Sequence, residues 1–179
     1  MLIVFHVFQA IGFFGFGNWL PALLNGQGVS ITHSLMYAFI ITLAYPLGPL
    51  LFVKFANRFE NKWQIVGSAL GAMTFGTLFA LQTSAFGLIF CGVMITFCNA
   101  WLSFSYHSYQ SELFPTNIRA RAVGFCYSFS RLSTVFSSLL IGIFLEHFGT
   151  PGVLAFIVSS MLIVMLTIGM FGPRTRNLA

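Results

Sequence analysis

The sequence predicts an all-α membrane protein in which six transmembrane helices account for the whole chain. Of the 179 residues, 58% are hydrophobic and only 6% are charged, whereas a soluble domain carries about 25% charged residues. The mean hydropathy is +0.90. The uncharged runs are continuous and about 20 residues long, which is the length of a helix that crosses a bilayer. A membrane β-barrel would instead show alternating segments of about ten residues.

Six such runs follow one another with short polar connections between them. They lie at about 2–24, 34–56, 64–82, 86–110, 122–145 and 152–171. The connections leave no room for a soluble domain, so residues 1–179 are predicted to form one transmembrane unit. The three cysteines lie inside the apolar runs, where we expect free, packed thiols.

Basic residues occur in alternate connections and indicate the orientation in the membrane. They flank or follow spans two, four and six, at Lys54, Arg58, Lys62, Arg119, Arg121, Arg174 and Arg176. Because Lys and Arg accumulate in cytoplasmic loops, both ends of the chain are predicted to be cytoplasmic, in a multi-pass protein of the cell (inner) membrane. This topology accounts for the net charge of +5. The expected partner is therefore the lipid bilayer and not nucleic acid.

The motifs of soluble enzymes are missing from this sequence. It has no Gly-rich phosphate loop, no His-Glu-x-x-His and no nucleophile elbow. Only three residues are acidic, which leaves little for acid–base catalysis. We therefore expect no enzymatic activity, no catalytic residues, no cofactor and no metal site. The informative residues are polar side chains at membrane depth, which are costly and usually functional.

Arg131 is the most informative of these residues. It lies about 14 Å along span five at 1.5 Å per residue, near the middle of a hydrocarbon core about 30 Å thick. Tyr127, Thr134 and Ser138 share its face of the helix. A guanidinium at this depth needs an anion, a water-filled cavity or carbonyl groups. Two interpretations stay open: a cavity wall that binds a substrate carboxylate or phosphate, and a salt bridge between helices, for example with Glu112.

Spans four and one carry further polar side chains. In span four a stripe at helical spacing consists of Asn99, Ser103, Tyr106 and Gln110. Small polar groups also hold helices together, and we favour that role for the serines. His107, beside the stripe, could either carry a proton or serve only as a hydrogen-bonding group. In span one, Gln9 and Asn18 could bind a ligand, and the glycines favour close packing or a broken helix.

The remaining histidines carry no functional prediction. His6, His33 and His147 lie near the ends of their spans, where we expect interfacial side chains without a role in binding.

Two segments resemble signatures of the major facilitator superfamily. The segment Glu112-Leu-Phe-Pro-Thr-Asn-Ile-Arg119-Ala-Arg-Ala-Val-Gly124, followed by Phe-Ser-Arg131-Leu, is similar to the signature that joins helices 10 and 11 in that superfamily. The most similar group is that of sugar-porter-like metabolite:proton symporters, which take niacin, aromatic acids or sugars. The segment Gly48 to Lys62 resembles the cytoplasmic motif between helices 8 and 9, with Asn57 in place of its Asp.

Span one adds a third resemblance, to helix 7 of sugar porters. Gln9-Ala-Ile-Gly12, with Asn18-Trp19 behind it, is similar to the Gln-x-x-Gly pattern of that helix, although the Tyr pair that follows there is absent. By their order, these motifs identify the six spans as helices 7–12. The resemblance implies the C-terminal half of a twelve-helix transporter, built from two inverted three-helix repeats.

The resemblance also implies a mechanism. Substrate would bind at mid-membrane between this half and an N-terminal six-helix half that is not contained in the sequence. Transport of a small organic solute would proceed by alternating access and be coupled to protons. An Arg in the cavity favours an anionic metabolite, such as an aromatic or nicotinate-like acid. The alternatives are a sugar porter, or a non-transporting fragment that acts only by pairing with an N-terminal half.

The resemblance places Arg131, Gln9 and His107 at cavity positions. Together with the polar stripes, it predicts a set of substrate-binding residues: Arg131, Gln9, His107, Asn18, Trp19, Tyr127, Asn99 and Tyr106. A cytoplasmic gating and charge network is predicted for Asn57, Arg58, Glu112 and Arg119.

Overall fold

The computed structural model of the chain describes residues 1–55 and 59–173, and its regular structure there is helical throughout. The helices are α1 (Leu2–Gly26), α2 (Ile31–Thr42), α3 (Leu47–Phe55), α4 (Asn61–Leu81), α5 (Ala85–Leu113) and α6 (Thr116–Phe171). Five stretches of this described part are long and apolar enough to cross a membrane. The predicted all-α membrane fold is confirmed.

Helix α6 consists of two helical segments that meet at a kink at Gly149, and each segment is long enough to cross a membrane once. It has 56 residues, or about 84 Å at 1.5 Å per residue, far more than a hydrocarbon core of about 30 Å requires. Gly149 interrupts it with φ 66° and ψ −168°, a backbone conformation that is essentially restricted to glycine. Pro151 follows two residues later. The chain therefore bends between spans five and six without a long loop.

The second span differs from its prediction as a continuous helix. A turn at residues 43–46 separates α2 from α3. Its bonds are short-range: the amides of Ala44, Tyr45 and Leu47 donate to carbonyls three residues earlier. Pro46 lacks an N–H and disfavours helical backbone at Tyr45, which accounts for the interruption.

Helix α1 is continuous through Pro21, and its glycines serve close packing rather than a break. A Cβ atom at Gly12 would collide with the Met161 side chain, and one at Gly15 would lie 2.8 Å from Ile141 Cδ1. Both partners lie on α6, which therefore approaches α1 closely. The Ser133 hydroxyl also crosses this interface and donates to the Val7 carbonyl at 2.8 Å.

Two apolar clusters form the interior, and large apolar side chains cover the outside. One cluster is centred on Phe16, Leu23 and Phe79, and the other on Phe5 and Tyr109. Exposed residues such as Phe86 and Val135 fit a surface whose solvent is lipid.

Candidate binding site

Helices α1, α5 and α6 enclose a cavity of about 130 Å³. Its lining consists of His6, Gln9, Phe13, Phe14, Ser103, Tyr106, His107, Tyr127 and Ser130. The spacing within each helix is that of a single helical face, since residues three, four and seven apart lie above one another. Four of the predicted substrate residues are thereby brought together, namely Gln9, Tyr106, His107 and Tyr127.

Arg131 contacts two residues of the cavity lining, Phe14 and Tyr127, and lies close to the midpoint between Thr116 and Gly149 on α6. Its Nη2 donates to the Tyr127 hydroxyl at 2.7 Å. Its Cζ lies 5.0 Å from the centroid of the Tyr127 ring and 5.9 Å from that of Phe14, within the range of a cation–π interaction. The hydrogen bond uses one of five N–H donors, so the exposed guanidinium is held in place and still able to bind an anion.

The structure gives Arg131 a different partner from the carboxylate considered above. Glu112 Oε1 accepts a hydrogen bond from Asn61 Nδ2 at 2.8 Å, and the same amide donates to Ser108 at 3.2 Å. Glu112 therefore ties the end of α5 to the start of α4, and the interpretation of Arg131 as its salt-bridge partner is corrected to an Arg131–Tyr127 pair.

Of the remaining members of the predicted cytoplasmic network, the structure describes only Arg119, and its hydrogen-bond partner is close in sequence. Arg119 Nε donates to the Phe114 carbonyl at 3.1 Å, which secures the short connection between α5 and α6. Asn57 and Arg58 lie outside the described residues.

Aromatic rings line the inner end of the cavity. Tyr106 stacks on Phe5, with ring centroids 3.7 Å apart and planes inclined by 12°. His6 meets the Tyr106 ring edge-on at 4.9 Å and the Tyr127 ring at 5.9 Å. The His107 ring is 6.2 Å from that of Tyr106 and is exposed. These flat faces suit an unsaturated ring or a planar conjugated ligand.

Three predicted substrate residues lie away from this cavity. Asn99 is 2% exposed and faces a separate narrow crevice where α1, α4, α5 and α6 meet. It lies seven residues, or about 10 Å, from Tyr106 along α5, at a level where the neighbouring helices close around it. The structure therefore places it in the packed interior instead of in the cavity.

Asn18 and Trp19 lie on a different part of α1 from the residues that line the cavity. Asn18 follows Gln9 by nine residues, which at 100° each turns it to the opposite side of α1 and about 13 Å further along. Trp19 packs against the apolar interior, where its ring approaches Gly142. The structure does not bring either residue to the site.

His6 is the principal residue of the site that sequence reasoning missed. It was expected at the interface, whereas the structure buries it to 2% exposure within the lining of the cavity. Phe13, Phe14 and Ser130 also line the cavity without having been predicted. The signal for His6 and Phe13 was their spacing of three and four residues from Gln9.

Comparison with known proteins decides the family. The chain matches the Major Facilitator Superfamily over residues 2–178. It belongs to this superfamily. The resemblance drawn from the sequence motifs is therefore confirmed, and this Major Facilitator Superfamily chain is a multi-pass membrane protein.

Several relatives of this superfamily chain are transport proteins by name. The putative metabolite transport protein YyaJ of Bacillus subtilis is 31% identical over 94% of the chain, which covers 38% of that protein. The putative niacin/nicotinamide transporter NiaP of the same organism is 26% identical over 99% of the chain, which covers 44% of that protein. The chain thus spans less than half the length of these relatives.

A solved structure shares the fold of this superfamily chain. The transporter PepTSo of the POT family matches with a TM-score of 0.80 and 17% identity, over 94% of the chain and 36% of its own length. At this identity the likeness concerns the fold alone.

Proposed function

We propose that this chain forms the C-terminal half of a secondary active transporter that carries a small organic anion by alternating access. The observation that carries the proposal is the Arg131 guanidinium, which Tyr127, a residue of the cavity lining, holds near the middle of the first crossing of α6. Membership of the superfamily supports the transport mechanism. The short coverage of the relatives supports the need for an N-terminal six-helix half as partner.

The charge of Arg131 supports an anionic substrate. A guanidinium at membrane depth is costly unless an anion or water compensates it, and its partner here is a neutral hydroxyl. A carboxylate can accept two parallel N–H bonds from a guanidinium. Bound substrate would therefore supply the counter-charge that the described neighbours of Arg131 do not provide.

The walls of the cavity support a planar substrate with a few polar groups. Phe14 and the Tyr106 and Tyr127 rings offer flat apolar faces, and Gln9 and His107 offer hydrogen-bonding groups. Niacin, which occurs in the name of one relative, combines a flat ring with a carboxylate. A nicotinate-like or other aromatic acid thus fits the site better than a sugar, whose many hydroxyls need many polar partners.

The proposal also includes the orientation of the chain in the membrane and the proton gradient that drives transport. The alternating distribution of basic residues supports cytoplasmic ends in the cell (inner) membrane. Proton coupling fits the proposed family of symporters, and a pH gradient across the membrane would then drive accumulation of the anion.

A chimera tests the proposal. The N-terminal six-helix half of the Bacillus subtilis relative YyaJ is joined to this chain and reconstituted into proteoliposomes. We expect saturable uptake of radiolabelled nicotinate that exceeds uptake of nicotinamide and glucose and that a protonophore abolishes. Arg131→Gln should reduce nicotinate uptake at least tenfold, whereas the matched variant Arg121→Gln, which removes a charge near the start of the same helix, should retain it.

The outcomes separate the alternatives. Preferential glucose uptake that survives Arg131→Gln would indicate a sugar porter. A folded chimera without uptake of any of the three solutes would contradict transport and favour a half that acts only by pairing. This chain reconstituted alone is expected to show no uptake.

A further inference from the structure

Buried polar atoms without a well-formed hydrogen bond cluster beside the cavity. Within residues 1–55 and 59–173 they include His6 Nε2, the Tyr106 hydroxyl and both amide atoms of the Gln110 side chain. These three side chains are at most 2% exposed. Since buried polar groups in proteins are normally paired, the cluster is suited to bind water, a proton or a polar ligand group.

The cluster extends from the cavity along α5 toward the C-terminal end of that helix. His6 and Tyr106 line the cavity. Gln110 lies one turn beyond Tyr106 and three residues before α5 ends at Leu113. The polar atoms therefore extend from the ligand space toward the end of α5.

His6 and Arg131 both lie close to the Tyr127 ring. The Arg131 Cζ is 5.0 Å from the ring centroid, and the His6 centroid is 5.9 Å from it, so the two groups are at most about 11 Å apart. At this separation and an effective dielectric constant of about 20, the Arg131 charge changes the proton affinity of His6 about tenfold. A carboxylate bound to Arg131 cancels that repulsion.

The charged and titratable groups near His6 in the described part of the site are Arg131, His107 and the α-amino group of Met1. Helix α5 presents Tyr106 and His107, and α6 presents Tyr127 and Cys126. Helix α4 presents apolar side chains to the neighbouring cluster. His107 is exposed and also titratable, so it is the group from which His6 has to be distinguished by experiment.

We propose that His6 is a proton-binding residue that is loaded together with the anionic substrate, with Tyr106 and Gln110 as its hydrogen-bonding neighbours. The inference rests on the proposed function and places a proton site within this half of the transporter. One proton moves from water to Nε2 as one carboxylate binds Arg131, so the net charge of the cavity is the same before and after loading. The cost of carrying an uncompensated anion through the membrane is thereby avoided.

Histidine NMR on the YyaJ chimera in nanodiscs, which supplies both halves of the proposed substrate site, tests the proposal. The chimera is labelled with ¹³C-histidine, and the ratio of protonated to neutral His6 is measured with and without ligand over a series of pH values from about 4 to 7. Nicotinate is compared with nicotinamide, and saturation transfer to the ring protons of each ligand reports whether it binds. His6→Gln and His107→Gln assign the two signals, and the exposed His33 and His147 serve as internal controls.

We expect nicotinate to raise the protonated-to-neutral ratio of His6 about tenfold, and nicotinamide to leave it unchanged. Arg131→Gln should abolish the response while the His33 and His147 signals stay in place, which shows an intact fold. The inference is wrong if nicotinate binds and the ratio at His6 changes less than about twofold, or if Arg131→Gln responds like the wild type.

The result is distinguishable from failure of the transport proposal. A response at His6 together with a chimera that does not carry nicotinate would support the proton site and contradict transport. If nicotinate does not bind, the proposed anion site is wrong, and the inference about His6 is overturned with it.

Discussion

Arg131 donates a hydrogen bond to the hydroxyl of Tyr127, one turn earlier on the same helix, across 2.7 Å. Residues four apart share a helix face, so the pair forms without any contribution from a neighbouring helix. The bond restricts a long, flexible side chain and keeps the guanidinium beside Tyr127, which lines the cavity. Tyr127 thus acts as a positioning residue for the proposed anion contact.

Removing the Tyr127 hydroxyl should weaken substrate binding without stopping transport. In the chimera, Tyr127→Phe keeps the aromatic face and loses a hydrogen bond worth about 1 kcal/mol. We expect the KM for nicotinate uptake to rise about fivefold and the maximal rate to change little, as measured by initial rates over a range of concentrations.

Tyr37→Phe is the matched control for this variant. Tyr37 lies on α2 beside His33, away from the cavity, and its loss of a hydroxyl should leave the KM unchanged. An unchanged KM in Tyr127→Phe as well would show that Arg131 needs no such support.

The Asn61–Glu112 hydrogen bond should couple the stabilities of α4 and α5. Asn61 is 8% exposed and donates to the carboxylate at 2.8 Å. In a double-mutant cycle of Asn61→Ala and Glu112→Ala, we expect a coupling energy of about 1 kcal/mol. The measurement is the free energy of unfolding of the chain in detergent.

A second double-mutant cycle, with a carboxylate that does not contact Asn61, serves as the control. Asn61→Ala combined with Glu146→Ala should be additive, because Glu146 is an exposed carboxylate near the far end of the first crossing of α6. Equal coupling in both cycles would mean that the observed bond contributes nothing specific. Glu112→Gln retains an acceptor and should therefore cost less than Glu112→Ala.

The fold could be predicted because composition and run length are direct consequences of a lipid solvent. Uncharged runs of about 20 residues satisfy their backbone hydrogen bonds internally as helices. The interruption at residues 43–46 was missed, since Tyr45 and Pro46 lie inside an apolar run with no charge to mark an end. The bend at Gly149 coincides with a predicted polar connection. That the two helices meet there without a loop depends on the positive φ of Gly149, which a hydropathy pattern does not indicate.

The site could be predicted only in part. A polar side chain inside a membrane span is energetically costly and therefore indicates a function, but the sequence does not show which neighbour that side chain faces. Arg131 and Tyr127 were found together because they lie on one helix. Asn99 was assigned to the cavity from its place in a polar stripe, but α1, α4 and α6 close around it at that level. The only sequence signal for His6 is its spacing of three residues from Gln9, and its burial follows from how α1 packs against α5 and α6.

Replacement of Gly149 should destabilise the chain through the backbone alone. At φ 66° and ψ −168° a side chain is strained by about 1–3 kcal/mol, although a Cβ there would have only Pro151 nearby, at 3.8 Å. Gly149→Ala should therefore lower the thermal unfolding midpoint in detergent. Gly67→Ala, in open space within α4, should leave it unchanged or raise it. A Gly149→Ala midpoint equal to that of the wild type would refute the strain.

There is room for only one methyl group where Gly48 of α3 meets Ala100 of α5, so alanine at both positions should destabilise the fold. A Cβ at Gly48 would lie 2.7 Å from the Ala100 Cβ, and overpacking of this kind costs about 1–3 kcal/mol. Gly48→Ala should lower the unfolding midpoint, and the second substitution Ala100→Gly should restore much of the loss. Gly124→Ala, which meets nothing within 4 Å, is the control. Absence of rescue in the double variant would show that α3 and α5 do not meet here.

Lys62 and Tyr109 should hold the end of α6 in place. Lys62 Nζ donates to the Gly172 carbonyl at 2.7 Å, and the Tyr109 hydroxyl donates to the Pro173 carbonyl at 2.9 Å. Lys62 is 8% exposed, and a hydrogen bond from a charged donor contributes about 1.5–3 kcal/mol. Lys62→Met should therefore accelerate amide hydrogen exchange in the last turn of α6 by about tenfold or more, as measured by mass spectrometry.

Two further variants make this prediction specific to the anchored segment. Tyr109→Phe should produce a smaller acceleration in the same peptide, because the bond it removes has a neutral donor. Lys54→Met, at an exposed position of α3, should produce none, since it removes a charge of the same kind without removing a bond to α6. If Lys62→Met and Lys54→Met exchange at the same rate in this peptide, the buried lysine does not restrain the helix end, and the Tyr109 bond and the packing of α6 against α4 must hold it.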